Sequence, residues 1–432
     1  MGFMSSNISQ PRPGRPGRAQ PRARAPRPLT ICRVQSRICI GGPAQHTLIL
    51  SSRLAPAYRT ILIGGGLDHE EHDLAGEARA CGVETLVVPS MRRRPGPLAD
   101  LCALLALWRL FRRERPAIVH THTAKAGALG RVAARLAGVP VVVHTFHGHV
   151  FAGYFPRWVT RLIVVAERLL ARLSDAVIVL SAVQHHDVVR RFRVAPAAKV
   201  HIIPLGLDLE AFAAAASPAA RKPGALRREL GCARDAVLIG IVGRLAPVKN
   251  HELFLEAAAR LCELLPGRDL QFVVVGDGAR RAVIEALAGR LGLAPRVHFL
   301  GWRRDLAPVM ADLDLLASTS RSEGTPAAII EAMAAGVPIV ATAVGGVEDI
   351  LGGYHAARVV ATSSPAVVAV ALAGLLRAPV ARVSHGVERF GARRLVGDVE
   401  SLYARLLTAR GIEPPSQRAT APHLEETLRA AA

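Results

Sequence analysis

The chain has 432 residues, half of them hydrophobic, a formal net charge of +21 and only 4% aromatics. The length suits two or more domains with sizeable cores. The scarcity of aromatics leaves few stacking platforms for single-stranded nucleic acid, so no nucleic-acid partner is expected. The six cysteines are scattered and form no C-x-x-C, which favours a reduced, cytoplasmic protein.

Much of the charge excess lies early. No acidic residue precedes Asp68, and residues 1–28 place Arg12, Arg15, Arg18, Arg22, Arg24 and Arg27 among Pro and Gly. This composition predicts a disordered basic leader. From residue 29 to about 210, apolar runs alternate with helical patterns. Strands are predicted at Thr60–Ile63, Thr85–Val88, Ala117–His120, Val141–Thr145, Ala176–Leu180 and Val200–Ile203, and helices at Leu98–Arg113 and Ala126–Ala137. The apolar stretch around Leu162–Leu180 is interrupted by Glu167, Arg168, Arg172 and Asp175, so no membrane span is predicted.

A break rich in Ala, Pro, Lys and Arg follows near Glu210–Gly231. Alternation then resumes through a second block, residues 211–385. It reads as strand Val237–Val242, helix His251–Leu265, strand Gln271–Val275, helix Ala279–Leu291, strands Val297–Leu300 and Leu313–Ala317, helix Pro326–Ala335 and strand Pro338–Ala341. Residues 386–410 hold a last helix, Val387–Leu407, and residues 411–432 a loose tail. Repeated β–α alternation predicts α/β domains, each a doubly wound parallel sheet with helices on both faces. Ligands in such folds bind beyond the carboxyl ends of the strands, and two facing sheets make a cleft.

The segment Ser322–Gly336, SEGTPAAIIEAMAAG, carries the densest chemistry. Thr325 reads as an N-cap and Pro326 as the first helical residue, with Gly336 and Pro338 ending the helix. Glu323 stands at the helix mouth and Glu331 roughly 7.5 Å along it, at 1.5 Å per residue. A helix N-terminus attracts phosphate. The flanking carboxylates suit hydroxyls instead. A diphosphate with hydroxyls on either side describes a nucleotide sugar. Upstream, Arg244 and Lys249 follow a predicted strand and supply a forked and a mobile cation for a diphosphate. In the first block, Gly41-Gly42 follows a strand and lets backbone approach a phosphate or sugar. It is not G-x-G-x-x-G, which weakens a nicotinamide reading. His144-Thr145-Phe146-His147-Gly148-His149 ends another strand, and His147 is the one favoured to meet a sugar. His120-Thr121-His122 lies nearby. No Cys or carboxylate joins these histidines at a ligand-like distance, so no metal is expected. In Asp312-Leu313-Asp314, Asp312 reads as a turn residue and Asp314 as structural.

Together these pieces resemble the retaining GT-B glycosyltransferases, in particular glycosyltransferase family 4, from about Ile38 to Leu407. The most specific parts are Ser322–Thr342, Gly243–Asn250, the VVGDG of Val274–Gly278 and the FLGW of Phe299–Trp302. The resemblance implies two Rossmann-like domains that close over a nucleotide sugar without a metal or other cofactor, with retention of anomeric configuration. It implies that Arg244 and Lys249 hold the diphosphate, with Gly276 and the Gly41-Gly42 turn alongside. Glu331 takes the ribose hydroxyls. Glu323 and the backbone of Gly324, Thr325, Pro326 and Ala327 take the sugar, and His147 meets it from the other domain. UDP is expected from family frequency rather than from any residue. The final helix is expected to cross back to the first domain, which holds the acceptor, a glycan or a lipid-linked glycan. Two departures stand out. Pro326 replaces a residue with an N–H, and Leu205 in Pro204–Asp208 replaces an Asn that would bridge the domains.

Basic, apolar helices at Leu98–Arg115 and Phe155–Leu173 read either as a peripheral contact with an anionic membrane or as core-facing helices with solvated basic faces. Two other function classes fit parts of the pattern. One is a sugar-nucleotide epimerase or phosphorylase on the same two-domain plan. The other is a basic, non-catalytic binding protein.

Overall fold

The computed structural model describes residues 28–38, 42–66, 74–92, 96–148, 151, 156–216, 224–378 and 380–415. The basic leader as far as residue 27, Gly41, His149 and residues 416–432 lie outside the described residues.

Among the described residues two parallel sheets form. The first contains β1 (Leu29–Arg37), β2 (Tyr58–Gly65), β3 (Glu84–Val88), β4 (Ile118–His122), β5 (Val141–Phe146), β6 (Ala176–Val179) and β7 (Val200–Ile202), in the order β3-β2-β1-β4-β5-β6-β7. The second contains β8 (Val237–Val242), β9 (Leu270–Val275), β10 (Val297–Gly301), β11 (Leu315–Ser318), β12 (Ile339–Thr342) and β13 (Ala357–Val360), in the order β10-β9-β8-β11-β12-β13. The strands are near-continuous apolar runs because helices cover both faces. In β5, Val141, Val142 and Val143 are all buried, and in β9 so are Phe272, Val273 and Val274. Each sheet reverses its winding beside its first strand, at β1/β4 and at β8/β11. Such a switch point opens a crevice at the carboxyl edge. The residues singled out above follow β1, β4, β5, β8, β9 and β11.

The helix Ala392–Thr408 does not pack on the second sheet. Leu395, Val399, Leu402 and Tyr403 bury themselves against Ile31, Ile118 and Val141 of the first. The chain therefore crosses between the sheets twice, and the two crossings are tied together. Leu207 N–H donates to Phe390 C=O at 2.8 Å and Ala392 N–H to Leu207 C=O at 3.0 Å. The Leu205 that takes the place of Asn is buried, and its carbonyl accepts from Arg394 Nη2 at 2.9 Å. Gly206 is needed here, because a Cβ would lie 2.4 Å from Leu395 Cβ.

The D-x-D carboxylates act as clasps. Asp312 accepts from Leu226 N–H at 2.7 Å and Arg227 N–H at 3.2 Å, holding the short helix Ala225–Glu229. Asp314 pairs with Arg227 at 2.7 Å and accepts from Leu238 N–H at 2.9 Å. These contacts delay the strand expected from Leu313, so β11 starts at Leu315.

The Tyr403 hydroxyl lies 2.6 Å from His120 Nδ1 in a fully buried setting that also holds Arg33. Removing the hydroxyl loses one of two contacts to His120 Nδ1, the other being Arg33 Nη1 at 3.0 Å, which costs about 0.5–1.5 kcal/mol. Tyr403→Phe should therefore lower unfolding free energy in urea by that amount, with the denaturant slope unchanged.

Candidate active site

Three loops of the second sheet converge. The loop after β8 runs Gly243–Asn250, that after β11 runs Thr319–Thr325, and that after β12 contains Gly345-Gly346. Lys249 Nζ donates to Glu323 Oε1 at 2.6 Å, and Ser320 Oγ donates to the same oxygen at 2.5 Å. Arg321 N–H donates to Val248 C=O at 2.8 Å, and Thr319 Oγ1 to Asn250 C=O at 3.0 Å. The two predicted loops are thus one hydrogen-bonded unit, with Lys249 and Glu323 as a direct ion pair. Arg244 is exposed beside Gly243. Gly276 packs backbone to backbone: a Cβ would fall 2.2 Å from Gly243 C=O. Gly243 and Gly276, with Trp302, line one wall of a cavity of about 140 Å³ whose other wall is Gln45, Leu48 and Glu77 of the first domain.

The expected helix over Pro326–Ala335 begins later and ends earlier, spanning Ala327–Ala334. Pro326, not Thr325, occupies the N-cap position, and no side chain caps the helix. The Thr325 hydroxyl is buried and has no partner among the described residues. The reason is local: Pro326 sits at ψ 108°, outside helical space, which leaves Thr325 one residue too far back to cap. Among the described residues no side chain closes the N–H end of the helix. Glu331, one turn further, is buried, and desolvation pushes its carboxyl up from the usual range to about 7.

The domains touch at glycine. A Cβ on Gly324 would lie 2.3 Å from the His147 carbonyl oxygen, so no other residue fits there. The His147 ring follows β5 and is half-buried; its Nε2 lies 2.9 Å from His122 Nδ1 at the end of β4. Burial lowers the His147 pKa to about 4. His46, in the helix Gly42–Arg53, faces both, with ring centroids 5.0 Å from His147 and 5.9 Å from His122. Gly42 opens that helix, and a Cβ there would meet no atom within 4 Å.

Sequence reasoning missed His46, Ser320 and the Gly345-Gly346 contact. A Cβ on Gly345 would lie 1.8 Å from Glu323 C=O. The available signal was position: Ser320 and Gly345 lie within a few residues of the ends of β11 and β12, and His46 lies in the first turns of the helix that follows β1.

Glu331 yields a prediction with a defined sign. Its folded pKa is above the unfolded value, so between about 4.5 and 7 the native state binds more protons and stability falls as pH rises. Glu331→Gln removes this penalty. Its melting temperature, without ligand, should gain on the wild type as pH goes from 5 to 8, and a pH-independent difference would contradict the assignment.

Comparison with known proteins accords with this geometry. A family model described as glycosyl transferases group 1 matches residues 236–378, and a glycosyl transferase 4-like domain model matches residues 41–206. The UDP-Gal:alpha-D-GlcNAc-diphosphoundecaprenol alpha-1,3-galactosyltransferase of Escherichia coli is 36% identical over 267 residues, which is 61% of this chain and 67% of that protein. The D-inositol 3-phosphate glycosyltransferase of Actinosynnema mirum is 33% identical over 57% of this chain, and the match spans 62% of its own length, under two thirds. Among solved structures, Anabaena Alr3699/HepE in complex with UDP and glucose superposes with a TM-score of 0.72, at 20% identity, over 87% of this chain and 99% of that one. Sucrose-phosphate synthase from Thermosynechococcus elongatus gives a TM-score of 0.73 at 20% identity, over 88% and 100%. The two sheets are those of the GT-B fold, and the chain belongs to the group 1 glycosyltransferases.

Proposed function

We propose that the protein transfers a hexose from a UDP-sugar to a lipid-linked glycan acceptor, with retention of configuration and without a metal. The observation that carries this is the Lys249–Glu323 pair beside the uncapped end of helix Ala327–Ala334. In this reading Lys249 and Arg244, with the free N–H groups of the helix, take the charge that develops on the departing diphosphate. Glu323 is oriented by Lys249 and Ser320 to accept hydroxyls of the sugar. Glu331 accepts the ribose hydroxyls, Thr325 offers its buried hydroxyl, and Gly42 leaves room for the phosphates. Pro326 has no N–H, so Ala327 supplies the first backbone donor. His147, held neutral by burial, reaches the sugar from across the cleft. The leaving phosphate takes the acceptor proton, so no separate base is required.

The relatives support the donor and the acceptor at the level of class. The Escherichia coli relative is named for UDP-Gal and a diphosphoundecaprenol-linked sugar, and the Anabaena structure holds UDP and glucose. Turnover of UDP-hexoses with a polyprenyl-diphosphate sugar tests the reading. Lys249→Ala should lower kcat about 10²–10³-fold, the cost of removing one preformed donor to a developing anion. A chelator should leave the rate unchanged. Hydrolysis or epimerisation that needs no acceptor would instead favour the epimerase class.

A surface feature fits a lipid-linked acceptor. On helix Arg157–Arg172, Trp158 (66% exposed) and Leu162 (62% exposed) continue through Val165 and Leu169 as one stripe at helical spacing, flanked by Arg157, Arg161 and Arg172. Leu98 and Leu101 of helix Pro97–Glu114 are exposed as well. Among the described residues no helix is long and apolar enough to cross a membrane. An apolar stripe between arginines matches an anionic bilayer surface. Trp158→Ser with Leu162→Ser should abolish flotation with vesicles containing anionic lipid at low salt while UDP-sugar binding persists. Equal flotation of variant and wild type would remove the membrane reading.

A further inference from the structure

His46, His122 and His147 come from three separate elements, and one ring nitrogen of each lies within 4.8 Å of the others. His46 and His122 are almost wholly buried, yet both His46 nitrogens and His122 Nε2 lack a hydrogen-bond partner among the described residues. Buried polar groups are nearly always paired, so a buried His46 with neither ring nitrogen paired among the described residues, facing His122 and His147, calls for an occupant. We propose that this trio is a reversible site for a divalent transition metal, Zn²⁺ foremost, whose binding draws His147 away from the donor sugar.

The chemistry selects the metal. The set is all imidazole and contains no carboxylate, which excludes Mg²⁺ and Ca²⁺ as tight occupants and suits Zn²⁺, Co²⁺ or Ni²⁺. Zinc–nitrogen bonds of about 2.0–2.1 Å place tetrahedral ligand nitrogens about 3.3–3.4 Å apart. The His122–His147 contact at 2.9 Å is already near that separation. Closing the remainder takes ring rotations of His46 and His147. As the metal enters, the proton between His122 Nδ1 and His147 Nε2 moves to the far nitrogen of the ring that carries it, so both bind as neutral imidazoles with no net proton released. The buried Arg33 guanidinium, bonded to His120 whose ring lies 4.2 Å from that of His122, repels a dication. That opposition favours exchange over permanent occupancy. Three protein ligands also leave a fourth position open, as in zinc sites that exchange their last ligand.

Binding does not depend on the proposed donor chemistry; the competition with donor does. The full chain is titrated with ZnCl₂ by calorimetry, and with CoCl₂ while the visible absorption of tetrahedral cobalt is read. The expected result is one equivalent bound, no response to MgCl₂, and at least a tenfold loss of affinity in His46→Leu. Thermal melts confirm that the variant is folded. His122→Phe gives a second reading should His46→Leu not fold. Zinc binding by His46→Leu and His122→Phe equal to wild type, or no binding by wild type, overturns the site. In the competition arm, one equivalent of zinc should lower UDP-sugar turnover about tenfold, reversed by chelator, and His46→Leu should resist this. Unchanged turnover with zinc shown to be bound overturns the competition. A chain with no turnover on any sugar nucleotide, but with normal cobalt spectra, separates failure of the proposed function from failure of the site.

Discussion

Gly324 has no side chain, and the carbonyl of His147 occupies the space one would fill. This contact brings the carboxyl edges of two independent sheets to within a backbone's thickness of each other. Around it, Lys249 from β8 and Ser320 from β11 converge on Glu323. Gly345 must also be bare, so that the β12 loop can press on the Glu323 carbonyl. The rest of the site follows: charge on one wall, imidazole on the other, with a helix end between them that no side chain closes.

The division of labour between the sheets follows from charge. The donor side carries ionised groups that are paired yet partly open to water, such as Lys249 with Glu323. The opposite side carries buried imidazoles kept neutral by desolvation, including His46, His120, His122 and His144. In the proposed reading an anionic donor would be held mainly by the ionised half, with the neutral imidazoles facing its hydroxyls.

Much of this was legible in the sequence. Val237–Val242 is a strand at the bounds expected, because a fully buried parallel strand is one apolar run between turn residues. Lys249 and Glu323 were both singled out, but as separate contacts for diphosphate and sugar; their ion pair follows from β8 lying beside β11. Other features were hidden. β13 is a short edge strand with exposed Arg358 and Val359, so its pattern resembles a loop. The failure of Thr325 to cap depends on the ψ angle of Pro326, which the S/T-P pattern does not encode. His46 stands at the end of a Gly-rich run and drew no separate reading; only the strand order, with β1 beside β4, brings it to His122 and His147.

The paired crossings at Leu207 and at Phe390–Ala392 have a mechanical consequence. The second domain is an excursion between β1–β7 and the helix Ala392–Thr408, both of which belong to the first sheet's side. A single tether permits swivelling in any direction, whereas two strands of backbone stitched side by side behave like the spine of a book. Two crossings bonded side by side restrict the relative orientation of the domains more than one would, and so keep the faces that carry Gly324 and His147 opposite each other.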